Sequence, residues 1–451
     1  MNPLLILLLG TAVVVFSIIR LRIGAFFGLM LAALLVSFLA PGELGTKVAR
    51  VGEAFGGVAG KISLVIACAA VIGKCMMDSG AADRIVRALL GVFGEKRAPA
   101  ALMTSGMALS VPVFFDTVFY LLIPLARSLH SSTKKQYLLY VMAIGMGAAA
   151  THTLVPPTPG PLAMAENLSF DIGVMMLAGF AVAMPCAITA VLYAAWLQKR
   201  MEVPMRPLAS SGDGEVAINP SPAQAPALWA SILPIVLPVI LISGNTILST
   251  ISGNSGEGLA KILSILGNPN IALLLSSAVA LVLYLRQCRP DASKLGDTLE
   301  KTLMGAGVII LITSAGGAFG AMLKEAQVGE VIQGMFSDGG EGLTLIFVGW
   351  LIACLLKISQ GSSTVSMITT SAILASMFDP ASLGYHPVYL ATAIGAGSLC
   401  GSWMNDSGFW IVAKMSGFTE TETLKSWSVG LAVISLVGLG LSLGLAVVLP
   451  M

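Results

Sequence analysis

The chain has 451 residues, of which 56% are hydrophobic and 11% are charged, and its formal net charge is +2. Roughly a quarter of the residues of an ordinary soluble domain are charged, so this composition excludes a protein whose main solvent is water. The near-neutral balance and the position of the basic residues beside apolar runs exclude a nucleic-acid partner.

Apolar runs of membrane length recur from one end of the chain to the other. A helix needs roughly 20 apolar residues to cross the hydrocarbon layer. Runs of about that length occupy residues 3–19, 23–40, 62–77, 173–197, 271–285 and 428–449. A membrane barrel would instead show alternating segments of about ten residues. We therefore predict an all-α polytopic membrane protein in a lipid bilayer.

The first run, 3–19, has no basic residue before it and no small-residue cleavage pattern after it. It is predicted to be a retained helix and not a signal peptide. The six cysteines are scattered without a C-x-x-C pair, which favours packing roles over disulfides or metal binding. Motifs of soluble enzymes, such as G-x-S-x-G, the P-loop and H-E-x-x-H, do not occur. We expect neither enzymatic activity, nor a metal, nor a cofactor.

A polar segment divides the chain into halves of similar length. Residues 201–228 are rich in Pro, Ser and Ala, which is the composition of a linker. Shifting one half along the other by about 247 positions aligns three features in the same order, among them the polar segments around Asp116 and Thr364. We predict two related repeats, 1–200 and 229–451, joined by a cytoplasmic linker.

Lys and Arg in short loops favour the cytoplasmic side. The basic loops are 20–22, 84–97, 127–135, 199–206, 286–301 and 414–425. If these loops are cytoplasmic, residues 98–125 form a re-entrant hairpin from that side, and residues 343–377 form its counterpart from outside. The prediction is an inverted repeat of about ten transmembrane helices plus two re-entrant hairpins. Lys47, Arg50 and Lys61 are the main exceptions to the charge bias.

Four polar stretches interrupt the apolar runs at 110–117, 151–161, 359–366 and 398–407. Irregular backbone deep in a membrane is tolerated only where it is buried in protein or lines a watery cavity. The prolines of "HTLVPPTPGP" predict a broken helix over about 136–165, and a second is predicted over about 387–412. The amino terminus of a half-helix attracts an anion. We expect the four stretches to converge on one site.

Four ionisable side chains lie within these apolar surroundings. A carboxylate such as Asp116 or Asp406 costs about 3 kcal/mol on insertion scales unless it is protonated, paired or wet. His152 can exchange protons in the physiological range, and a purely structural histidine is the alternative. Lys357 fits an anionic substrate, with snorkelling or ion pairing as the alternative.

The four polar stretches, with their flanking residues, resemble the gluconate permease (GntP) family within the ion transporter superfamily. The matching stretches are "ALSVPVFFDTVFYLLIPLARSL", "HTLVPPTPGPLAMAENL", "KISQGSSTVSMITTSAIL" and "GSLCGSWMNDSGFWIVAKMSGFTETETLKSW". The resemblance implies a secondary active transporter that takes up gluconate or a related small sugar acid or hydroxy monocarboxylate with protons. It further implies an inverted-repeat fold, a homodimer with elevator-like transport domains, and a bacterial cytoplasmic (inner) membrane as the location.

The resemblance also implies which residues form the site. The substrate-binding residues that it implies are Asp116, Thr117, His152, Thr153, Ser362, Ser363, Thr364, Asn405 and Asp406. Asp116 is expected to take the coupling proton, with His152 or Asp406 as a relay. Thr158 stands where many relatives carry a second histidine.

Other functions remain open at the level of sequence. The substrate could be of the D-serine or D-glycerate type, and Ser, Thr and Asn at the hairpin tips could bind Na⁺ in place of a proton. A channel or substrate sensor that binds the same acids without coupled transport is the alternative from a different class. Uphill accumulation driven by an ion gradient distinguishes a coupled transporter from a channel or a substrate sensor.

Overall fold

The computed structural model describes residues 2–21, 23–94, 97–133, 136–206, 225–252, 259–328, 341–377, 383–404 and 406–450. The regular elements of these residues are helices. In the first half they are α1 (Pro3–Ile19), α2 (Ala25–Leu39), α3 (Ala49–Asp78), α4 (Ala81–Phe93), α5 (Ala98–Leu109), α6 (Phe115–Thr133), α7 (Tyr137–Leu154), α8 (Pro159–Asn167) and α9 (Ile172–Gln198). A short 3₁₀ turn, Leu44–Thr46, precedes α3.

In the second half the helices are α10 (Leu228–Ser252), α11 (Leu259–Leu266), α12 (Pro269–Cys288), α13 (Ala292–Glu325), α14 (Glu341–Gln360), α15 (Ser363–Ala375), α16 (Val388–Gly397), α17 (Ser407–Ser416) and α18 (Glu420–Val448). A π-helical turn, Leu424–Ser428, lies near the start of α18. The predicted linker falls largely on residues 207–224, which lie outside the described ranges.

Seven helical stretches of the described residues are long and apolar enough to cross a membrane. They are Leu44–Asp78, Tyr137–Asn167, Ile172–Gln198, Leu228–Asn245, Pro269–Cys288, Ala292–Glu325 and Glu420–Val448. Shorter apolar stretches of 10–17 residues accompany them, including α2, α5, α15, α16 and residues Leu343–Ile358 of α14. The all-α polytopic membrane fold is thus confirmed, and the number of ten spans stays a prediction.

Several helices begin where the sequence supplies a capping side chain. Asp171 accepts hydrogen bonds from the Gly173 and Val174 amides at the start of α9. Asp291 does the same for the Lys294 amide at the start of α13. A side-chain oxygen at this position satisfies an amide that has no partner within the helix. These caps fix the ends of two long spans.

The centre of the molecule is α7, because every residue of this helix except His152 is buried. Its sequence is apolar on all sides, as expected for a helix that is surrounded by protein. Gly147 lets the backbone of α5 approach closely, since a Cβ there would meet the Met103 carbonyl oxygen at 2.8 Å. Gly145 leaves similar room for Trp427 of α18. The partial exposure of His152 marks the point where α7 borders a cavity.

Two helix–turn–helix units occupy the segments predicted to be hairpins. In the first, residues 110–114 turn the chain between α5 and α6. In the second, only Gly361 and Ser362 separate α14 from α15. Gly361 has a φ of +78°, a conformation that favours glycine. The entry of these units into the membrane from opposite sides stays a prediction.

The helices pack around more than one apolar core. α1, α2 and α13 share a core that includes Leu29, Val36 and Phe319. A larger core surrounds α5, α6 and α7, and a third joins α8, α14 and α16. The polar segments of the chain lie between these cores, where backbone groups can be buried in protein and not in lipid.

The three exceptions to the charge bias each have a local partner. The Lys47 ammonium donates hydrogen bonds to the Phe38 and Ala40 carbonyls at 2.8 and 2.9 Å, and thereby caps the end of α2. Arg50 donates to the Pro41 carbonyl close by at 2.9 Å. Basic side chains commonly satisfy the last carbonyls of a helix in this way. Lys61 forms an ion pair with Glu166 of α8, with 2.5 Å between Nζ and Oε1.

Candidate functional site

A cavity of about 290 Å³, here called the central cavity, lies where the polar segments of both halves meet. The predicted site residues that line it are Asp116, His152, Thr153, Ser362, Ser363, Thr364 and Asp406. Its volume falls at the lower end of the range of about 300 to 1,000 Å³ for small-molecule sites. The cavity therefore suits a small ligand.

The first helix–turn–helix unit contributes the start of α6 to the central cavity. Asp116 belongs to the first turn of this helix, where a negative side chain interacts favourably with the helix dipole. Asp116 is exposed and faces the cavity. Thr117, the next residue, is half-buried and does not line the cavity.

The end of α7 contributes His152 and Thr153. The Nδ1 atom of His152 is buried and has no hydrogen-bond partner among the described residues. The His152 ring packs edge-on against Phe114, with 6.0 Å between the ring centroids. The Thr153 hydroxyl donates to the Ala149 carbonyl of its own helix at 3.1 Å. His152 thus brings a buried and unsatisfied polar atom to the wall of the central cavity.

The proline-rich break after α7 does not supply the anion-attracting helix start that the sequence suggested. α8 begins at Pro159, and both Pro159 and Pro161 lack the N–H group that an anion would need. Pro157, Thr158 and Pro159 line a separate small cavity. The Thr158 hydroxyl donates to the Val155 carbonyl at 2.6 Å, so Thr158 satisfies the broken backbone and does not border the central cavity.

The anion-attracting start is instead that of α15 at the second helix–turn–helix unit. The Ser362 side chain caps this helix by accepting a hydrogen bond from the Val365 amide at 3.3 Å. The Ser363 hydroxyl donates to the Ser398 carbonyl at 2.7 Å, which ties the tip to the end of α16. The first amides of α15 and the positive end of its dipole therefore lie at the central cavity.

A buried ion pair forms one side of the central cavity. The Lys357 ammonium, at the end of α14, lies 2.7 Å from Oδ2 of Asp406, which caps α17. Lys357 is 3% exposed and Asp406 is 6% exposed. The same ammonium donates to the Gly361 carbonyl at 2.9 Å. The pair connects the second helix–turn–helix unit to the start of α17.

The Asp406 carboxylate has further donors. Its Oδ1 accepts from the Gly408 amide at 3.0 Å. The Ser402 hydroxyl donates to Oδ2, and the same hydroxyl accepts from the Trp427 indole at 2.9 Å. Hydrogen bonds of this kind stabilise the charged form of a carboxylate. Both carboxylate oxygens are therefore held, and Oδ2 is shared between the Ser402 hydroxyl and the Lys357 ammonium.

The structure brings seven of the nine predicted substrate-site residues to the central cavity. Thr117 lies apart from it, and Asn405 lies outside the described residues. Sequence reasoning missed the apolar wall, which Ile309 and Ile312 of α13 and Trp427 and Leu431 of α18 provide. No local pattern distinguishes these residues from ordinary helix packing. Their role follows from the approach of distant helices.

A second cavity, of about 520 Å³, lies at the opposite end of α15. The carboxyl-terminal ends of α8, α13 and α15 line it with Glu166, Asn167, Lys324, Ala372 and Ala375. Gly316 packs between the two cavities, where a Cβ would lie 2.1 Å from Cγ2 of Ile368. Close packing of α13 against α15 thus separates the cavities.

An all-helical membrane fold around a cavity with polar and apolar walls is typical of membrane transport proteins. The chain matches the profile of the GntP family permeases over residues 2–448, and it therefore belongs to the GntP permease family. This confirms the resemblance stated from the sequence. The members of this family are permeases and not enzymes.

Relatives of known name cover nearly the whole chain. A gluconate permease of Pseudomonas aeruginosa is 32% identical over 448 residues, which are 98% of each chain. The Gnt-II system L-idonate transporter of Escherichia coli is 29% identical over 97% of each chain. An uncharacterized permease of Haemophilus influenzae is 32% identical over 95% of this chain and 88% of its own length.

Solved structures share the fold at low sequence identity. The YdaH transporter of Alcanivorax borkumensis has a TM-score of 0.63 and 14% identity, over 94% of this chain and 97% of its own. The MtrF efflux pump of Neisseria gonorrhoeae has a TM-score of 0.66 and 15% identity, over 93% of each chain. Both are membrane transport proteins, so the fold is one that such proteins use.

Proposed function

We propose that the protein is a proton-coupled symporter of the bacterial cytoplasmic membrane that takes up gluconate or a related small sugar acid. The observation that carries this proposal is the central cavity, which combines the amino-terminal end of α15 and Lys357 with acceptors and hydroxyls at Asp116, His152 and Thr153. A cation and a helix amino terminus suit a carboxylate, whereas the other groups suit sugar hydroxyls. Relatives named gluconate permease support the substrate class.

Charge balance supports coupling to a proton. Asp116, Lys357 and Asp406 together carry one net negative charge when all are ionised, and a bound carboxylate would bring a second. A charge is costly to move through a low-dielectric region unless it is compensated. One proton for each substrate cancels the charge that the carboxylate brings and returns the site to its net charge before binding. The candidate groups for that proton are Asp116, His152 and Asp406.

The proposal includes a homodimer in which the cavity-bearing helices move as an elevator. The separate apolar core of α1, α2 and α13 supports a division into a frame and a moving part. Close contacts across glycines, as between Gly317 and Val58 of α3, leave few bulky side chains between the helices. Such surfaces allow one group of helices to slide past another without repacking of side chains.

Uptake into liposomes tests the proposed function. Purified protein is reconstituted, and accumulation of labelled gluconate is measured under separately imposed H⁺ and Na⁺ gradients, with D-glycerate and D-serine as competitors. We expect uphill accumulation with the proton gradient alone. Accumulation with the sodium gradient alone would replace the proton by Na⁺. Binding without accumulation would instead indicate a substrate sensor.

A further inference from the structure

The Lys357–Asp406 pair combines burial with a position on the wall of the central cavity. Both side chains line the cavity, although they are only 3% and 6% exposed. Removing two charges from water costs several kcal/mol for each ion, and apolar residues of similar volume are often at least as stabilising. Stability alone therefore gives no reason for this pair, and its place on the cavity wall points to the ligand.

The surroundings of the Lys357 ammonium fit a carboxylate. Besides Asp406, the ammonium contacts the Gly361 carbonyl, directly before the residues that start α15. A carboxylate bound at Lys357 would lie beside the first amides of that helix, which are favourable to an anion. Asp406 now holds the position that such a ligand would need.

We propose that the substrate carboxylate displaces Asp406 from Lys357, and that Asp406 takes up the coupling proton when it loses this cation. The inference rests on the proposed function and deepens it, because it selects Asp406 from the three candidate groups. A buried carboxylate without a counter-charge takes up a proton in preference to remaining ionised. Substrate binding and protonation of Asp406 are thus coupled, because both follow from the replacement of one carboxylate by another at Lys357.

The exchange keeps the charge of the site constant. Before binding, Lys357 carries +1 and Asp406 carries −1. After binding, Lys357 and the substrate carboxylate cancel each other, and Asp406 is neutral because it has accepted one proton from water. Substrate without a proton would leave the site at −1, and a proton without substrate would leave it at +1. Only the empty and the fully loaded site therefore avoid a buried net charge.

Among the described residues, Asp116 of α6 and His152 of α7 are the other titratable groups that line the central cavity. Asp116 is exposed towards the cavity, so water can solvate its charge without a cation. His152 lines the cavity, and its buried Nδ1 has no hydrogen-bond partner among the described residues. α13 and α18 face the cavity with Ile309, Ile312, Trp427 and Leu431, which do not titrate. Asp406 is the acid whose compensation depends on Lys357.

Calorimetric titration of the purified protein with gluconate tests this assignment. Titrations in two buffers of different ionisation enthalpy give the number of protons taken up for each gluconate bound. We expect one proton for the unaltered protein. Linkage then requires that affinity falls by about tenfold for each unit of rising pH in the range where free Asp406 is ionised. Asp116→Asn should weaken gluconate binding, because Asp116 lines the cavity, and should still take up one proton for each gluconate bound.

Variants of the pair separate its two roles. Asp406→Asn should bind gluconate without proton uptake and with an affinity that no longer depends on pH. Lys357→Met should weaken binding by at least about tenfold, the loss of one charged hydrogen bond. Because either variant leaves one buried charge unpaired and could fail to fold, the double variant Lys357→Met/Asp406→Asn is measured too. It should fold, bind weakly, and take up no proton.

A second Lys–Asp pair of the chain provides the matched control. Lys74 Nζ lies 2.9 Å from Oδ1 of Asp78 in α3, and neither residue lines the central cavity. Asp78→Asn should leave both affinity and proton uptake unchanged. Undiminished proton uptake in Asp406→Asn or in the double variant would overturn the inference and leave the proposed function standing. Failure of the unaltered protein to bind gluconate, D-glycerate or D-serine would overturn both.

Discussion

Ser402 shows how one buried hydroxyl connects the ion pair to the apolar wall of the central cavity. The side chain is fully buried, donates to the Asp406 carboxylate and accepts from the Trp427 indole. The indole N–H group can only donate a hydrogen bond, so when it is buried it needs an acceptor. The positions of Trp427 and Asp406 therefore depend on the same hydroxyl.

Ser402→Ala should destabilise the protein by about 1 to 3 kcal/mol, because the buried Trp427 indole would lose its acceptor. Thermal unfolding in detergent, followed by circular dichroism, measures the change. Ser105→Ala is the control, since the buried Ser105 hydroxyl donates to the Ala101 carbonyl of its own helix. Equal melting temperatures for the two variants would contradict a supporting role for Ser402.

Individual site residues differ in how far the sequence predicts them. Asp116 and His152 could be identified because ionisable side chains are costly in apolar surroundings. The pairing of Lys357 with Asp406 could not be predicted, because the residues lie 49 positions apart and are brought together by tertiary packing, in which α14 lies against α16. The local sequence shows that a charge in an apolar run would be costly to bury, but it does not identify the residue that pairs with that charge.

The helix ends decide the polarity of the central cavity. α15 directs its amino terminus towards it, and α17 begins there with the Asp406 cap. The breaks in the helices could be expected from proline, glycine and polar residues. The helix end that attracts an anion could not be predicted, because Pro159 and Pro161 remove the amides from the start of α8. The prolines that break the helix here also remove the N–H groups that would bind an anion at its start.

The contact of α13 with α15 depends on a missing side chain at Gly316. A Cβ there would lie 2.1 Å from Cγ2 of Ile368, and a β-branched side chain cannot easily rotate away in a helix. Gly316→Ala should therefore lower the free energy of unfolding by about 1 to 3 kcal/mol. Thermal unfolding in detergent again measures the effect.

Gly307→Ala, on the same helix, is the matched control for Gly316→Ala. No described residue of a neighbouring element lies within 4 Å of a Cβ at Gly307, and alanine favours a helix over glycine by about 1 kcal/mol. We expect unchanged or slightly higher stability for this variant. Ile368→Ala should partly restore the Gly316→Ala protein. A Gly316→Ala protein as stable as the control would contradict the close packing of the two helices.

At the scale of the whole molecule, one network ties the two halves together at the side predicted to be cytoplasmic. Arg206 forms a bidentate pair with Glu422, with distances of 2.6 and 2.8 Å, and donates to the Gly417 carbonyl at 2.9 Å. Arg127 of α6 donates to the Arg206 carbonyl at 2.7 Å. The hydrogen bonds with Glu422 raise the pKa of Arg206. The start of the linker is therefore fixed to the second half.

Because this network precedes the linker's polar segment, a chain break after residue 212 should be tolerated. We expect co-expressed fragments 1–212 and 213–451 to co-purify and to transport gluconate when reconstituted. The composition of this segment, rich in Pro, Ser and Ala, is that of a linker, and polar linkers tolerate breaks. Arg206→Ala in the split protein should reduce the recovery of the complex. Fragments that fail to associate would show that covalent continuity, and not helix packing, holds the halves together.

The fold class could be predicted from composition, because apolar runs of membrane length allow few alternatives. The convergence of the polar stretches could also be expected, since lipid does not accept irregular backbone. The apolar wall of the central cavity could not be expected, because Ile309 and Trp427 look like any other residues of a membrane helix. Tertiary packing alone gives them a role.

The two cavities at the ends of α15 have an electrical consequence. Val365 and Ala372, which line one cavity each, lie seven residues apart, or about 10 Å at the rise of an α-helix. The hydrocarbon layer is about 30 Å thick, so water in both cavities would concentrate the membrane voltage across this thin septum. A carboxylate crossing it alone would experience about 2.3 kcal/mol for each 100 mV. A carboxylate that crosses together with its proton carries no net charge and would not interact with the voltage. The voltage would therefore act only on a site that holds the carboxylate without the proton, or the proton without the carboxylate.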